Sequence, residues 1–170
     1  MRILRAARLA LSLFLLVVLA GCGGDDAPWS EREYVQQQLD VFVASLEADP
    51  PTDAELPGRI RAYLDEHTSF FGSTVTKLDA AGRADYAPYL YRLPEGPLAE
   101  KDLAAVPGYD IDSQAWLEEP IAQRAGVWTE PYFDEGGGNI WMVTRSVPVF
   151  QGDRIVAVAT TDVPVQAPED

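Results

Sequence analysis

The sequence has few of the residues that build disulfides, metal centres and nucleic-acid surfaces. Only one cysteine and one histidine occur among its 170 residues. No disulfide can therefore form within the chain, and His67 has no histidine or cysteine companion with which to hold a metal. The 13 basic residues are outnumbered by 27 acidic ones, and the formal net charge is −14. An acidic domain repels phosphate groups, so this balance argues against nucleic-acid binding.

The patterns of common catalytic and cofactor sites are missing as well. The three residue types of a catalytic triad occur close together at Asp65, His67 and Ser69, but the sequence around Ser69 is not that of a nucleophile elbow. Asp134 and Glu135 precede three glycines and could be considered as calcium ligands. Their spacing is not that of an EF-hand, so a polar turn is the better interpretation. The same glycines open a strand rather than a helix, so they do not form a phosphate-binding loop. We predict no catalytic residue, no metal site and no cofactor.

Long apolar runs are also scarce, and the one that stands out lies near the start. It covers residues 9–20 after three arginines, and it is too short for a comfortable membrane span. This layout predicts a secretory signal peptide over residues 1–21. The segment Leu19-Ala20-Gly21-Cys22 resembles a bacterial lipobox, which implies that the Cys22 thiol is lipidated and that Cys22 becomes the new N-terminus. The alternative is an ordinary signal peptide followed by a chance cysteine.

Beyond the signal, the chain predicts one domain over residues 29–167, preceded by a short tether at residues 22–28. Ser30 and Glu33 fit a capping box, in which the two side chains serve backbone amides of the first helical turn. Apolar residues at helical spacing follow them. They predict an amphipathic helix that ends before Pro50.

The middle of the chain predicts a second helix and two strands. The helix covers residues 55–66, with Pro57 in its first turn. Residues 70–78 and 86–93 are rich in β-branched and aromatic residues, and they predict two partner strands joined by a glycine-containing turn. Residues 94–107 are interpreted as a loop with at most one short helix.

The last third of the chain predicts a β-meander that serves as the scaffold of the domain. Before it, Asp112 is placed to cap a short helix that carries Trp116 and is limited by Pro120. The polar triplet Gln151-Gly152-Asp153 is typical of the turn of an antiparallel hairpin. The three predicted strands are residues 127–133, 140–150 and 155–163.

Five groups of residues in the second half of the chain resemble Cache domains, the PAS-like extracytoplasmic sensor modules of chemoreceptors, histidine kinases and phosphatases. They are residues 86–92, 109–116, 128–132, 142–144 with 147–148, and 157–158 with 161–163. The resemblance covers residues 60–165. It implies an α+β fold with a central antiparallel sheet of about five strands. It also implies a long N-terminal helix and further helices on one face of this sheet, with a ligand pocket under loops on the other.

Some Cache domains that bind amino acids share a pattern of ligand-contacting residues. Laid on this chain, the positions of that pattern are Tyr109, Gln114, Trp116, Leu117, Tyr132 and Asp162. Gln114 takes the place of an arginine, and Leu117 takes the place of a tyrosine. In the family the arginine grips the ligand carboxylate through a bidentate ion pair, which glutamine cannot supply. The aromatic residues and the acid that remain suit a cation or an amine.

Each of these candidates also has a structural interpretation. Asp162 either pairs with a ligand ammonium or accepts backbone amides at the end of a strand. The aromatic residues either line a pocket or belong to the core. Tyr91 and Arg92 on the second predicted strand are further ligand-binding candidates. Arg92 either binds an anionic ligand group, in place of the missing arginine, or pairs with one of the many carboxylates.

Together these patterns predict an extracytoplasmic lipoprotein whose Cache-like domain binds a small polar or cationic metabolite, such as an amine or an amino acid. We expect no enzyme activity, and we expect the signal to pass to a separate envelope protein because no output segment is found. Ligand binding is expected to order residues 94–117 over the sheet. The alternative is an interaction module that keeps the fold, binds no ligand and recognises another envelope protein.

Overall fold

The computed structural model describes residues 27–167. The predicted signal peptide, Cys22 and most of the tether lie outside these residues. The helices are α1 (Ala27–Ala48), α2 (Leu56–Glu66) and α3 (Ala115–Gln123). The strands are β1 (Gly72–Leu78), β2 (Ala84–Tyr86), β3 (Pro88–Tyr91), β4 (Ala99–Asp102), β5 (Val127–Trp128), β6 (Tyr132–Phe133), β7 (Trp141–Gln151) and β8 (Arg154–Pro164). Two short 3-10 turns, Leu103–Ala105 and Ile111–Ser113, lie between β4 and α3.

The first two helices form where the apolar periodicity predicts them. Helix α1 buries Val35, Leu39 and Phe42 at spacings of four and three residues, which places them on one face. The helix begins at Ala27, so the predicted cap at Ser30 is wrong, because this residue lies inside the helix. Pro57 occupies the first turn of α2, where a missing N–H costs no hydrogen bond. Within residues 27–167, none of the helices is both long enough and apolar enough to reach across a bilayer.

All eight strands belong to one antiparallel sheet. Its main path has the order β4-β3-β1-β8-β7-β5, while β2 pairs with β1 and β6 pairs with β7. Strands β7 and β8 form a long hairpin, in which Gln151 lies opposite Arg154 and Met142 lies opposite Pro164. Gly152 in its turn has a φ of 60°, a left-handed conformation that glycine adopts without steric cost. The predicted C-terminal meander is confirmed.

Alternation along β8 gives the sheet two different faces. Ala157 and Ala159 belong to a core with α1 and α2, whereas Val158 packs with α3 on the opposite side. Successive side chains of a strand point to opposite faces, so Thr160 and Asp162 share the side of Val158. The α+β fold class is confirmed. One detail differs, since α3 covers the face opposite to α1 and α2, whereas the prediction put all helices on one face.

The segment predicted as a loop at residues 94–107 contains the edge strand β4. Its sequence, Ala-Glu-Lys-Asp, does not alternate between apolar and polar residues, because an edge strand is partly exposed on both faces and carries charge. The predicted helix cap at Asp112 is also wrong. Its carboxylate accepts a hydrogen bond of 2.8 Å from the Ala84 amide. Pro120 lies inside α3 rather than limiting it, and its own burial in the core helps to hold that turn in place.

Two of the predicted strands are interrupted by side chains that bond to the backbone. The run at residues 127–133 forms β5 and β6, separated by residues 129–131. The Thr129 hydroxyl accepts a hydrogen bond of 2.9 Å from the Thr144 amide. The predicted strand at residues 86–93 is broken at Ala87. The Ala87 amide donates to the side-chain carboxylate of Asp102 at 2.9 Å instead of to a backbone carbonyl of a neighbouring strand.

Candidate ligand-binding site

A small hollow with a cavity volume of about 10 Å³ lies on the face of the sheet that α3 covers. Strands β1, β3 and β8 form its floor, while α3, the loop before α3 and the loop after β6 close it. It is lined by Thr74, Tyr89, Leu103, Tyr109, Trp116, Tyr132, Asp134, Thr160 and Asp162. Pockets for drug-sized ligands measure about 300–1,000 Å³. In this structure the hollow has room for about one water molecule, so its lining must move apart before a ligand can enter.

Asp162 lies near the end of β8 and is 4% exposed. Strand register places it opposite Thr144 of β7, and the Thr144 hydroxyl donates a hydrogen bond of 2.8 Å to the Asp162 carboxylate. The Tyr132 hydroxyl lies 2.9 Å from Thr144 Oγ1. Because the single hydroxyl proton of Thr144 goes to Asp162, Tyr132 is the donor to Thr144. A short chain of hydrogen bonds thus leads from Tyr132 to Asp162.

A second carboxylate, Asp134, reaches the hollow from residues 134–139, which we call the glycine loop. Asp134 is 6% exposed, and its carboxylate accepts hydrogen bonds from the Gly138 amide at 2.6 Å and the Tyr109 hydroxyl at 3.2 Å. The Trp116 indole N–H in turn donates to the Tyr109 hydroxyl at 3.3 Å. A second chain of hydrogen bonds therefore leads from Trp116 to Asp134.

The electrostatic character of the hollow is strongly negative. Burial raises the pKa of Asp162 to about 7; the Thr144 hydrogen bond opposes this effect, and the charge of Asp134 adds to it. Burial, together with the nearby carboxylates, raises the pKa of Tyr109 and of Tyr132 well above the ordinary value of 10. These phenols therefore keep their protons at neutral pH. Of the nine described residues that line the hollow, none is basic.

Two hydroxyls in the floor of the hollow have no partner among the described residues. They are Thr74 Oγ1 and Tyr89 Oη, and both are buried. Tyr89 Oη approaches the Asp162 carboxylate. Burial raises the pKa of Tyr89, the carboxylate raises it further, and the phenol in turn lowers the pKa of Asp162, although the pair is not aligned as a regular hydrogen bond. An unpaired buried hydroxyl costs about 1–3 kcal/mol. The floor thus retains hydrogen-bonding capacity that the fold does not use.

Lys101 of the edge strand β4 holds the glycine loop in place. Its ammonium donates a hydrogen bond of 2.8 Å to the Gly136 carbonyl and another to the Gly137 carbonyl. It also lies 4.9 Å from the centre of the Tyr91 ring. Gly137 has no room for a side chain, since a Cβ there would lie 1.8 Å from the Asp134 carboxylate. Lys101 therefore positions Asp134 indirectly, through the backbone of the loop.

Among the seven residues predicted to bind ligand, Tyr109, Trp116, Tyr132 and Asp162 come together around the hollow. Tyr91 lies one layer outside it. Its ring stacks on that of Tyr89, with 5.1 Å between the ring centroids.

Gln114 and Arg92, the other two predicted ligand-binding residues, do not line the hollow. The Gln114 side-chain amide donates to the Asp110 carbonyl at 2.9 Å, just before α3. The Arg92 guanidinium faces α2, where it donates to the carbonyl oxygens of Leu64 at 2.5 Å and Phe70 at 2.7 Å. The expectation that Arg92 replaces the missing arginine is therefore not supported by its position, because these backbone carbonyls already bind its charge.

Sequence reasoning did not identify Asp134, Thr74 or Tyr89 as site residues. Asp134 precedes glycines, and that pattern predicts a polar turn. Thr74 and Tyr89 have the residue types of ordinary strands. One signal was available for Thr74, because alternation along β1 places a hydroxyl on a face that should be buried. Within residues 27–167, no group of three or more histidine, cysteine, aspartate and glutamate side chains is placed to hold a metal ion.

Solved structures share this fold. The extracellular domain of soHK1S-Z6, a protein assigned as a histidine kinase, matches with a TM-score of 0.68 and 24% identity over 79% of this chain and 54% of its own. The ligand-binding domain of the Campylobacter jejuni chemoreceptor Tlp3 in complex with L-norvaline matches with a TM-score of 0.59 and 15% identity over 81% and 52%. The ligand-binding domain of the Pseudomonas aeruginosa PAO1 amino acid chemoreceptor PctC in complex with GABA matches with a TM-score of 0.55 and 19% identity over 79% and 57%. The chain thus spans about half the length of these structures, and at these identities the likeness shows the fold alone.

A family profile provides the stronger comparison. No curated protein matches the sequence. The profile described as "Methyl-accepting chemotaxis protein-like, first PDC sensor domain" matches residues 57–167, which is more than half of the chain. The matched range contains all eight strands and every residue that lines the hollow. The resemblance to Cache-type sensor modules is confirmed by this match and by the shared fold. The chain belongs to the family of methyl-accepting chemotaxis protein-like PDC sensor domains.

Proposed function

We propose that this sensor domain binds a small metabolite carrying a protonated amine in the hollow under α3. The observation that carries the proposal is a pair of buried carboxylates, Asp162 and Asp134, which face one space that no described basic side chain lines. A buried charge without a counter-charge is costly. The Lys101 ammonium acts on Asp134 from outside the hollow, so a ligand ammonium supplies chiefly the counter-charge that Asp162 lacks.

The aromatic residues of the hollow support the same ligand chemistry. The rings of Tyr109, Trp116 and Tyr132 surround the two acids, and aromatic faces attract cations that have lost their water. Hydrogen bonds from Trp116 to Tyr109 and from Tyr132 to Thr144 hold these rings in place. A cation therefore meets acids and rings that are already held in place, and the lining must move apart to admit a ligand larger than a water molecule.

Structures with the same fold also support an amine-bearing ligand. Tlp3 is seen with L-norvaline, PctC with GABA and Mlp24 with asparagine, and each of these ligands has both an ammonium and a carboxylate. In this chain Gln114 stands where the resemblance expects a carboxylate-binding arginine, and its amide bonds to Asp110 instead. The hollow therefore favours an amine over an amino acid.

The proposal places the domain outside the cytoplasm, tethered to a membrane through lipid on Cys22, with its signal passing to a separate envelope protein. The lipobox resemblance supports the tether, and the extracellular domain of soHK1S-Z6 supports the location. Metabolic labelling with an alkyne-tagged fatty acid tests the anchor. The label is expected on the wild-type chain and not on a Cys22→Ser variant, and equal labelling of both would contradict the anchor.

A thermal-shift series on the full chain tests the ligand class. A ligand that binds only the folded state raises the melting temperature. We expect amines to raise it more than amino acids, and carboxylates not at all. The rise should disappear in Asp162→Asn and persist in Asp153→Asn, which removes an exposed charge of the same sign in the β7–β8 turn, at the opposite end of β8 from Asp162. The second variant controls for non-specific attraction of cations to an acidic protein.

Two results would contradict the proposal. The first is that a carboxylate lacking an amino group raises the melting temperature of the wild type more than any amine does. That result would exclude a negatively charged site for amines. No response to a broad panel of amines would favour the alternative, an interaction module that keeps the fold and recognises another envelope protein.

A further inference from the structure

The floor of the hollow carries two hydroxyls that the rest of the domain leaves unused. Thr74 and Tyr89 are each 2% exposed, both line the hollow, and neither hydroxyl forms a well-aligned hydrogen bond with a described residue. Tyr89 Oη does approach the Asp162 carboxylate, so a ligand competes with that carboxylate for it. The backbone amide of Thr74 is already bound, since it donates to the Thr160 hydroxyl at 3.1 Å. The spare capacity therefore belongs to the two side-chain hydroxyls, which face the space where a ligand would lie.

We propose that Thr74 and Tyr89 select, among small amines, those that carry an uncharged hydrogen-bonding group such as a hydroxyl or an amide. This inference rests on the proposed function, in which Asp162 and Asp134 hold the ammonium. A ligand enters this hollow only when the side formed by α3 and its loops moves away, and the part of the ligand beyond its ammonium then lies against the floor. A hydroxyl or amide there pairs with the free hydroxyls, whereas an alkyl chain leaves them unpaired.

The charges of the hollow explain why this second group is uncharged. A ligand carboxylate would lie close to Asp162 and Asp134, and like charges at short range in a buried site repel strongly. No described basic residue in the lining offsets that repulsion. An uncharged ligand group, such as a hydroxyl or an amide, avoids this repulsion and can still form hydrogen bonds with the hydroxyls of Thr74 and Tyr89. A site with hydrogen-bonding groups for a ligand hydroxyl or amide discriminates strongly against the apolar analogue of that ligand. An apolar pocket discriminates less against a ligand that carries an added hydroxyl.

Strand β1 provides a matched control. Thr76 is 0% exposed, and its hydroxyl also has no partner among the described residues. It shares the face of Thr74 but does not line the hollow. Valine has nearly the shape of threonine, so Thr74→Val and Thr76→Val make the same chemical change inside and outside the site.

The test compares amines of equal size in pairs: ethanolamine with n-propylamine, and glycinamide with isobutylamine. Calorimetry on the full chain at about pH 8 keeps Asp162 ionised, since this pH is above its pKa of about 7. Wild type and Thr76→Val are expected to bind the polar member of each pair about tenfold more tightly, because the alkyl member leaves buried hydroxyls unpaired. In Thr74→Val and in Tyr89→Phe this preference is expected to fall to about threefold or less.

Melting of the ligand-free variants separates a role in binding from a role in folding. Thr74→Val and Thr76→Val are expected to melt at or above the wild-type temperature, because each removes an unpaired buried hydroxyl without changing shape. Thr144→Val is expected to melt at a lower temperature, because its hydroxyl joins Tyr132 to Asp162. A Thr74→Val variant as unstable as Thr144→Val would assign Thr74 to the fold and overturn its role in selection.

The binding results distinguish failure of this inference from failure of the proposed function. Equal binding of the two members of each pair by the wild type would overturn the inference and leave the amine site standing. An unchanged preference in both Thr74→Val and Tyr89→Phe would do the same. Failure of all four amines to bind the wild type would refute the amine site, and the inference would fall with it.

Discussion

Replacing Asp162 by asparagine is expected to stabilise the ligand-free protein at neutral and alkaline pH while abolishing amine binding. The carboxyl is buried, and it accepts one hydrogen bond from Thr144. Asparagine has the same shape, and its amide oxygen can accept that bond. The substitution therefore removes the charge and leaves the packing intact, so its effect on stability reports the cost of the buried charge.

The size of the effect follows from the pKa of the carboxyl. Burial raises the pKa of Asp162 from 3.8 to about 7, a difference of about three pH units, each worth about 1.4 kcal/mol. The folded state therefore binds a proton that the unfolded state has lost between these two values. Wild-type stability falls as pH rises through this range, by about 4 kcal/mol in total from this residue. Below about pH 4 both states are protonated and the penalty disappears.

Urea denaturation of the wild type and of Asp162→Asn, at intervals between about pH 4 and about pH 9, measures the effect. The free energies of unfolding are expected to converge at the acidic end of the range. They should separate as pH rises, with Asp162→Asn the more stable by several kcal/mol above about pH 7. Contributions from other titrating groups, including His67, are common to both proteins and cancel in the difference.

An exposed acid provides the control for this experiment. Asp153 lies in the β7–β8 turn and is exposed, so Asp153→Asn should differ from the wild type by a small amount that changes little with pH. The reasoning would be refuted by an Asp162→Asn difference that does not vary with pH. An Asp162→Asn protein that is less stable than the wild type at about pH 8 would refute it as well.

Three further variants test the elements around the hollow. Gly137→Ala is expected to weaken amine binding about tenfold or more, because its Cβ displaces the Asp134 carboxylate; unchanged affinity by calorimetry would contradict this. Lys101→Met keeps the length of the side chain but loses its bonds to the glycine loop, so hydrogen exchange of the loop amides should speed up about tenfold, with α1 unchanged. Arg92→Met is expected to lower the free energy of unfolding by about 1.5–3 kcal/mol, because a charged donor to backbone carbonyls is lost. The affinity of Arg92→Met for amines should stay at the wild-type value. A loss of amine binding in this variant would show that Arg92 contributes to the ligand-binding site.

Much of the fold could be predicted because its signals are local. Apolar residues at helical spacing mark α1 and α2, and the triplet around Gly152 marks the longest hairpin. The edge strand β4 could not be predicted in this way. Its exposed position allows charged residues on both faces, so its sequence does not differ from that of a loop. The cap at Ser30 failed for a related reason, since a capping motif also occurs inside a helix whose start is set by neighbouring residues.

The candidate site could be predicted in part. The family pattern indicated Tyr109, Trp116, Tyr132 and Asp162, and these four do line one hollow. Arg92 is a further candidate in the sequence, with pairing to a carboxylate as the alternative. Its guanidinium instead donates to the backbone carbonyls of Leu64 and Phe70. These contacts depend on how α2 packs beside β3, which no local pattern predicts.

The sequence by itself determined the β7–β8 hairpin, because its turn triplet and its β-branched runs are local signals that depend only on neighbouring residues. It also determined the acidic character of the chain and the lack of histidine and cysteine partners for a metal. Only the tertiary structure decided that Asp134 of the glycine loop meets Asp162 of β8, and that Thr74 and Tyr89 lie beneath them with free hydroxyls. These contacts join residues far apart in the chain. They depend on sheet order and loop packing, which no short stretch of sequence encodes.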